Sequence, residues 1–401
     1  MNELQYQEEL SKCVRCGACK AHCPTYLSVL NETMGARGRI AMLDGVRENL
    51  LAPTKGLTDK IFSCILCEAC RDLCPTGINI PETIYHGRIK LKDLYSRGHL
   101  LRKGVEFSLP RIETVFFILR WLQKFFYPLL YKTGRIRYMP EIAPVPFKDT
   151  AQVYKNTGLR NNSPSRKIGR VAVFTGCSIN YFYPHLGNSL LKILLTKGYE
   201  IVVLKGEVCC GAPLRSLGLE EEASLLARKN IELFNKLRVG AIISMCPTCT
   251  MTIKKQYPLF VGDSIEKIMD VTEFLLKNEL ANGLKTNGRV ITYHDPCHLS
   301  YGLGIKKEPR ELLGKIQGLD LVEMQNSEEC CGFGGFFSVS FKDLSRRIGE
   351  KKIKNILNTS ADTVVTSCPG CMTQLEDMKR TSDTDIDIMH IVEVIDEAMH
   401  G

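Results

Sequence analysis

The sequence predicts a helical N-terminal domain followed by two copies of an α/β unit with a parallel sheet. Three observations predict this architecture. Near the N terminus, two cysteine-rich loops flank residues 39–49, where apolar side chains recur at helical spacing. From residue 167 onward, short runs rich in Val and Ile alternate with helical segments, as in βαβ units. The cysteine pattern of this second part occurs twice, about 120 residues apart, which indicates a duplicated unit.

Eight of the 18 cysteines form two copies of the motif C-x2-C-x2-C-x3-C-P. The first copy ends in Cys23-Pro24 and the second in Cys74-Pro75. This run resembles that of bacterial-type ferredoxins, which hold two 4Fe-4S clusters and use the fourth cysteine of each run to ligate the other cluster. The resemblance predicts Cys13, Cys16, Cys19 and Cys74 as ligands of cluster 1, and Cys64, Cys67, Cys70 and Cys23 as ligands of cluster 2.

The domain that carries these motifs is assigned to residues 1–100. Forty residues separate Cys23 from Cys64, more than a minimal ferredoxin needs between its halves. Because this stretch includes the helical pattern at residues 39–49, we expect an α-helical ferredoxin domain with two 4Fe-4S clusters. Residues 101–165 follow as an aromatic helical segment and a linker rich in turn residues.

The ten remaining cysteines form two sets of five, one in each predicted α/β unit. The first unit spans residues 166–284 and the second residues 285–401. Each set contains a single cysteine, a Cys-Cys-Gly triplet and a final C-x2-C, and each group follows a predicted strand. Ligands of parallel sheets bind at the carboxyl ends of the strands, so we expect each set to converge at one sheet edge. The two predicted metal sites comprise Cys177, Cys209, Cys210, Cys246 and Cys249 in the first unit, and Cys297, Cys330, Cys331, Cys368 and Cys371 in the second.

Composition narrows the class of protein. The chain has 401 residues, of which 44% are hydrophobic and 24% charged, as expected of about three globular domains. Its first residues resemble no secretory signal, which predicts a cytoplasmic protein whose cysteines bind soft metals rather than form disulfides. The formal net charge is +9 with all cysteines neutral. Two 4Fe-4S clusters would remove about four of these charges, and no Lys/Arg stripe is present, so no nucleic-acid partner is expected.

The most apolar stretch of the chain, residues 114–131, contains Arg120 and Lys124 and is shorter than the ~20 apolar residues that a membrane-spanning helix needs. Two interpretations stay open. The helix packs against its own domain or a partner subunit, or it lies on the cytoplasmic membrane as a peripheral anchor.

The cysteine pattern of the α/β units resembles the cysteine-rich CCG domain, which occurs twice in the catalytic subunit of heterodisulfide reductase. Fusion of two such domains to a double-cluster ferredoxin is similar to the iron–sulfur subunit of glycolate oxidase. It also resembles the iron–sulfur subunits of lactate oxidation systems and of anaerobic glycerol-3-phosphate dehydrogenase. The match includes residues 35–40, GARGRI, where the family usually reads GPRGRI, and residues 74–77, CPTG. The resemblance covers almost the whole chain.

This resemblance implies an electron-transfer subunit of an oxidoreductase. A partner flavoprotein would hold FAD and oxidise a 2-hydroxy acid such as glycolate or lactate. The present chain would pass the electrons through its 4Fe-4S clusters towards a quinone, an electron-transfer flavoprotein or another carrier. Each CCG site would hold a noncubane 4Fe-4S cluster or zinc. The chain lacks a G-x-G-x-x-G at a strand end and a P-loop, so we expect no flavin site, no catalytic residue and no activity on the hydroxy acid alone.

Two other functions stay open. Many glycolate oxidase subunits lack some CCG cysteines, whereas all ten are present here, so the chain could itself reduce a disulfide at a noncubane cluster, as heterodisulfide reductase does. A zinc-stabilised docking scaffold is the third possibility. His294 and His298 bracket Cys297, either as hydrogen-bond donors to cluster sulfur or as ordinary turn residues.

Overall fold

The computed structural model describes residues 1–95, 103–104, 112–133, 137–150 and 168–401. A helical N-terminal domain comes first, then one long helix, then two α/β domains. Parts of the predicted linker, including the NNSPS sequence at residues 161–165, lie outside the described residues. Across the described ranges, no helix has the length and apolar character that crossing a membrane requires.

The N-terminal domain is helical, as the sequence predicts. Its α-helices are Glu3–Ser11, Pro24–Val29, Ala36–Arg47, Lys55–Phe62 and Ile80–Leu91, and its short 3-10 helices are Ala18–Lys20, Glu32–Met34 and Lys92–Leu94. The helix expected within residues 39–49 begins three residues earlier and buries Ile40 and Leu43 on one face. Cys23 caps the helix that begins at Pro24, where the missing proline N–H costs no hydrogen bond.

Each α/β domain contains a four-stranded parallel sheet. The strands are β1 (Gly169–Phe174), β2 (Tyr199–Val203), β3 (Ala241–Ser244) and β4 (Ile268–Asp270) in the first domain, and β5 (Lys285–Tyr293), β6 (Gln317–Leu321), β7 (Thr363–Thr366) and β8 (Asp387–His390) in the second. Their orders, β2-β1-β3-β4 and β6-β5-β7-β8, are the same, which confirms the duplicated parallel-sheet fold.

Helices cover both faces of these sheets. In the first domain they are Gly176–Tyr181, Pro184–Thr196, Ala212–Ser216, Glu220–Asn235, Pro247–Met251, Tyr257–Phe260 and Val271–Lys277, with a π-helix at Thr252–Gln256. In the second they are Glu308–Leu313, Phe336–Ser340, Lys342–Leu357, Pro369–Thr381 and Ile391–His400, with a π-helix at His298–Leu303. One apolar core continues from the first sheet into the second, and another joins the first sheet to the N-terminal domain, so the three domains pack together.

The sequence did not predict β4 and β8. Both are short edge strands. Their sequences, IMD and DIMH, contain one Ile each and lack the longer aliphatic runs that marked the other six strands. Their main-chain pairing with β3 and β7 forms them, rather than a local preference of their residues.

The aromatic segment forms one helix, Ile112–Lys132, which we call the apolar helix. Its polar side contacts the rest of the protein: Gln123 bonds the carbonyl of Pro140 and accepts from the amide of Ile142, and Arg120 donates to the carbonyl of Pro144. Its large apolar side chains are instead exposed, among them Phe117, Ile118, Trp121, Leu122, Phe125, Phe126 and Leu129. Phe116 stacks on Tyr181 with ring centroids 4.0 Å apart, but most of the apolar face stays exposed.

Candidate functional site

The two N-terminal cysteine loops adopt the same unusual backbone. Arg15 and Leu66, the residues before the second cysteine of each motif, have positive φ angles of 55° and 58°. Gly17 and Glu68, the residues after that cysteine, have φ angles of 87° and 69°. Left-handed conformations at non-glycine residues are costly and persist mainly at functional sites. Here they curl each loop so that its cysteines line a common cavity.

The four cysteines predicted for cluster 1 come together at one end of the N-terminal domain. Three come from the first motif and one from the second, and the cavity between them is lined by Cys13, Cys16, Cys19 and Cys74. Cys16 is exposed, which places this cavity at the protein surface. Burial alone would raise the pKa of Cys74, but hydrogen bonds from the hydroxyl of Thr76 and from nearby backbone amides outweigh it and lower the pKa. The lowered pKa favours the thiolate form of Cys74, which is the form that binds metals.

The cysteines predicted for cluster 2 line a second cavity, deeper in the protein. They are Cys23, Cys64, Cys67 and Cys70. Burial raises the pKa values of Cys67 and Cys70 well above the usual range, and the neighbouring thiols raise them further. Several thiolates can share such a cavity only when a cation neutralises them, and thiolates favour iron–sulfur clusters or zinc. The donor set therefore fits a cluster.

Buried side chains support the second cavity. Arg39, a further residue of its lining, is 1% exposed and donates to the hydroxyls of Thr25 and Ser63 at 3.1 and 2.8 Å. Thr25 in turn lies 3.5 Å from the sulfur of Cys23. The sequence placed Arg39 in a family motif but gave no sign that its guanidinium would be buried.

In the α/β domains, the turn after each cysteine pair is a left-handed glycine. Gly211 and Gly332 both have φ of +90°, a conformation that glycine adopts without steric cost. Cys246 and Cys368 then occupy the N-cap positions of the helices that directly follow them. Both groups of cysteines follow strand ends, as the sequence predicts for each repeat.

The two sets of five cysteines adjoin each other. Each thiol has a side-chain interaction with the next along one continuous line, which crosses from one repeat to the other between Cys246 and Cys368. The Sγ atoms of Cys331 and Cys371 are 3.5 Å apart. In spatial order the line contains Cys177, Cys209, Cys210, Cys249, Cys246, Cys368, Cys371, Cys331, Cys330 and Cys297. The sequence did not indicate that the two predicted sites adjoin each other.

Protons are shared unevenly along this line. Hydrogen bonds from Cys209 and Cys249 lower the pKa of Cys210, and hydrogen bonds from Cys246 and Cys371 lower the pKa of Cys368. Hydrogen bonding to Cys210 raises the pKa of Cys249, which acts as the donor. The thiols with lowered and raised pKa values thus lie side by side in a region where most sulfurs are buried, and such a donor set favours soft metal ions.

The second α/β domain, called here the second repeat, lies directly against the loop that contains Cys64, Cys67 and Cys70, called here the cluster 2 loop. Ile65 and Cys67 share a small apolar core with Cys330, and Cys297 packs against it. After burial, the neighbouring Cys297 is the largest cause of the raised pKa of Cys67. The predicted cluster 2 ligands therefore adjoin the second repeat.

His298 connects all three domains. Its Nε2 donates to the carbonyl of Leu66 in the cluster 2 loop at 3.0 Å, so Nδ1 accepts from the hydroxyl of Thr248 at 2.8 Å. Thr248 lies between Cys246 and Cys249 of the first repeat. Burial lowers the pKa of His298, which keeps the ring neutral for these two roles. The sequence offered only its position next to a cysteine as a signal.

Buried charges fix the N-terminal domain on the first repeat. Arg215 and Glu82 form an ion pair with a 2.7 Å contact, and their side chains are 4% and 7% exposed. Arg88 donates to the carbonyl of Ser216 at 2.8 Å and to carbonyls of its own domain. These contacts fix the position of the N-terminal cysteine cavities relative to the cysteines of the first repeat.

Comparison with known proteins agrees with this architecture. The family model for a 4Fe-4S dicluster domain matches residues 9–78, and the family model for a cysteine-rich domain matches residues 171–254 and 291–376. A crystal structure of a hypothetical protein from Helicobacter pylori has a TM-score of 0.55 at 12% identity, covering 100% of this chain and 73% of that one, and so shares the fold.

Three relatives illustrate the range of this group. The probable glycolate oxidase iron-sulfur subunit of Bacillus subtilis is 28% identical, covering 93% of this chain and 90% of that protein. One subunit of the dihydromethanophenazine:CoB–CoM heterodisulfide reductase of Methanosarcina barkeri is 27% identical over 98% of this chain and 94% of its own. Lactate utilization protein A 2 of Bacillus cereus is 30% identical over 58% of this chain and 99% of its own. The chain therefore belongs to the family of iron–sulfur oxidoreductase subunits in which a 4Fe-4S dicluster domain precedes two cysteine-rich domains.

Proposed function

We propose that this chain is the iron–sulfur subunit of a flavin-dependent dehydrogenase for a 2-hydroxy acid, of the glycolate or lactate type. One observation carries the proposal: the cysteine sites adjoin one another in an order that begins at the protein surface. The order is the exposed cluster 1 cavity, the cluster 2 cavity, the second repeat and then the first. Such an order suits one-electron transfer from a partner at the surface to an acceptor near the two repeats.

The proposed reaction divides between two chains. At the partner's flavin, the hydroxy acid loses two electrons and two protons and becomes a 2-oxo acid. The present chain accepts the electrons one at a time and passes them to a quinone, an electron-transfer flavoprotein or another carrier. Its contribution is the fixed spacing of the sites, which the Arg215–Glu82 pair and the His298 bridge maintain.

The ligands proposed for the clusters are those predicted from the motifs. Cys13, Cys16, Cys19 and Cys74 would hold cluster 1, and Cys64, Cys67, Cys70 and Cys23 would hold cluster 2. For the two CCG sites we propose noncubane 4Fe-4S clusters, because five thiols per repeat exceed the four ligands of a tetrahedral zinc site. Anaerobically purified protein should then contain about 16 irons per chain, whereas zinc in both repeats would leave about 8 irons.

The function is tested by reconstitution with the copurifying flavoprotein. Glycolate or lactate should reduce the clusters, seen by electron paramagnetic resonance, only when the flavoprotein is present. Cys16→Ser at the exposed site should slow this reduction, whereas Leu225→Glu, at an exposed apolar residue of the first repeat, should not. Reduction by the hydroxy acid without a flavoprotein would contradict the division of labour between the chains.

A second function is favoured by the meeting of the two repeats at Cys246 and Cys368. Ten thiols from two repeats in one line suit the reduction of a disulfide, in which two electrons and two protons convert one S–S bond into two thiols. The isolated chain, reduced with dithionite, would then turn over a disulfide such as that between two small thiol cofactors. Turnover without any partner would replace the first proposal with this one.

We also propose that the apolar helix binds the surface of a membrane that contains anionic lipids. Phe117, Trp121, Phe125 and Leu129 are 54–65% exposed along one side of it, while its polar side is used within the protein. The sequence places Arg111, Lys132 and Arg135 around the ends of this helix. Aromatic side chains next to basic residues are typical of helices that lie at the headgroup boundary.

Cosedimentation with vesicles tests this binding. The protein should sediment with vesicles that contain phosphatidylglycerol and less with phosphatidylcholine alone. The double substitution W121E/F125E should abolish sedimentation, while Leu225→Glu, which also changes an exposed apolar residue, should keep it. Equal sedimentation of both variants would refute membrane binding by the apolar helix. Absence of sedimentation of the unaltered protein would refute it as well.

A further inference from the structure

The second repeat contains one potential metal ligand that is not a cysteine. His294 directly follows β5 and is fully buried at 0% exposure; within the described part of the chain neither ring nitrogen makes a regular hydrogen bond, and the ring interacts only with Cys331. A buried polar group without a partner is unfavourable, and such a group in a folded protein commonly marks an ion or ligand that completes it. His298 of the same HDPCH sequence differs, because both of its nitrogens are hydrogen-bonded.

The ring nitrogen of His294 lies close to two cysteines of the second set. The nitrogen and the Sγ atoms of Cys331 and Cys371 all lie within 4.8 Å of one another, and the two sulfurs are 3.5 Å apart. Ligands bound tetrahedrally to one metal at roughly 2.0 Å through nitrogen and 2.3 Å through sulfur are separated by roughly 3.5–3.8 Å. The two sulfurs have the spacing of ligands on one metal, and the imidazole nitrogen lies near enough to join them after a small rotation of the side chains.

The first repeat has no counterpart to this nitrogen. Val171 in β1 pairs with Ala241, and Ile291 in β5 pairs with Thr363, so the two sheets align with Phe174 at the position of His294. The Phe174 ring instead contacts that of Phe234, with centroids 5.8 Å apart. The duplication therefore offers five thiols in the first repeat, and five thiols plus one imidazole in the second.

We propose that His294 is a nitrogen ligand of the metal centre in the second repeat, together with Cys331 and Cys371. The proposal rests on a metal or cluster in that repeat, and it holds whichever substrate the complex uses. Where His294 takes the place of one of the five thiolates as a ligand, the potential of the iron–sulfur centre rises, as it does in Rieske proteins. The second repeat, which adjoins the cluster 2 loop, would then have a higher potential than the first and would accept electrons more readily.

Nitrogen hyperfine coupling tests the ligation directly. The full-length protein is labelled with ¹⁵N-histidine, purified without oxygen, and measured by pulsed electron paramagnetic resonance throughout a redox titration. We expect a ¹⁵N coupling of the size that direct coordination gives. It should vanish in His294→Phe, which installs the residue of the first repeat, and persist in His298→Gln, the matched control.

Two fallback experiments cover a variant that does not fold and a protein that contains zinc. If His294→Phe does not fold, His294→Cys should retain the metal and lose the nitrogen coupling. If metal analysis finds zinc in the second repeat, the same spectra are recorded on cobalt(II)-substituted protein. Absence of ¹⁵N coupling at every potential and with cobalt, or a coupling lost only in His298→Gln, would overturn the proposal. Failure of flavoprotein-dependent reduction would leave these spectra unchanged and would bear only on the proposed function.

Discussion

The two Cys-Cys-Gly turns provide a matched pair of substitutions, Gly332→Ala and Gly211→Ala. Both glycines have φ of +90°, so alanine at either position costs about 1–2 kcal/mol for the left-handed conformation. The surroundings differ. A Cβ atom on Gly332 would lie 2.7 Å from the carbonyl oxygen of Ser345 and 3.1 Å from Ile348, whereas on Gly211 its nearest neighbour would be Ala223 at 3.5 Å.

The closer contact at Gly332 adds a second cost. Overpacking of this kind typically costs about 1–3 kcal/mol, so we expect Gly332→Ala to lower the free energy of unfolding by about 2–5 kcal/mol and Gly211→Ala by about 1–2 kcal/mol. The hydroxyl of Ser345 also donates to the carbonyl of Gly332 at 2.6 Å, which ties the turn to the helix that would have to move. Cys331 should shift with the turn, so metal loss should be confined to the second repeat.

Anaerobic guanidinium unfolding followed by circular dichroism measures the stability difference. Iron and zinc analysis of the same samples measures the metal loss, and the N-terminal cluster signals serve as an internal control. Equal losses of stability in the two variants, or a larger loss for Gly211→Ala, would refute the reasoning from the Ser345 contact.

Three further predictions follow from the described contacts. Cys74→Ser should remove the paramagnetic signal of cluster 1 and Cys70→Ser that of cluster 2; loss of the same signal in both would disprove the crossed ligation. Arg215→Met should lower the free energy of unfolding by about 3–5 kcal/mol because it leaves the Glu82 carboxylate buried and unpaired, and adding Glu82→Leu should recover part of this loss in guanidinium unfolding. Burial raises the pKa of Asp270 to about 7, above its value of roughly 4 in the unfolded chain. The contribution of Asp270 to the free energy of unfolding should therefore fall as pH rises from about 4 to 7 and level off above 7. Asp270→Asn should make the pH profile less steep in this range, and identical profiles for the two proteins would disprove the reasoning.

Much of the fold could be predicted from local patterns. Helical spacing near Ile40 and Leu43 indicated the helix in the first domain, and the Val-rich runs indicated six of the eight strands. The edge strands β4 and β8 could not be predicted, because pairing with a neighbour forms them. The orientation of the apolar helix was likewise not evident, since a helical wheel shows two faces but not which of them meets the protein.

The sequence by itself determined what can be read within one loop: the cysteine spacing, the glycines that follow the cysteine pairs, and the duplication. These features depend on backbone geometry over a few residues. Tertiary structure alone decided that Cys246 meets Cys368, that His298 joins three domains, and that His294 faces two thiols. These contacts join residues tens to hundreds of positions apart, and such residues meet only when the apolar faces of the domains pack into common cores.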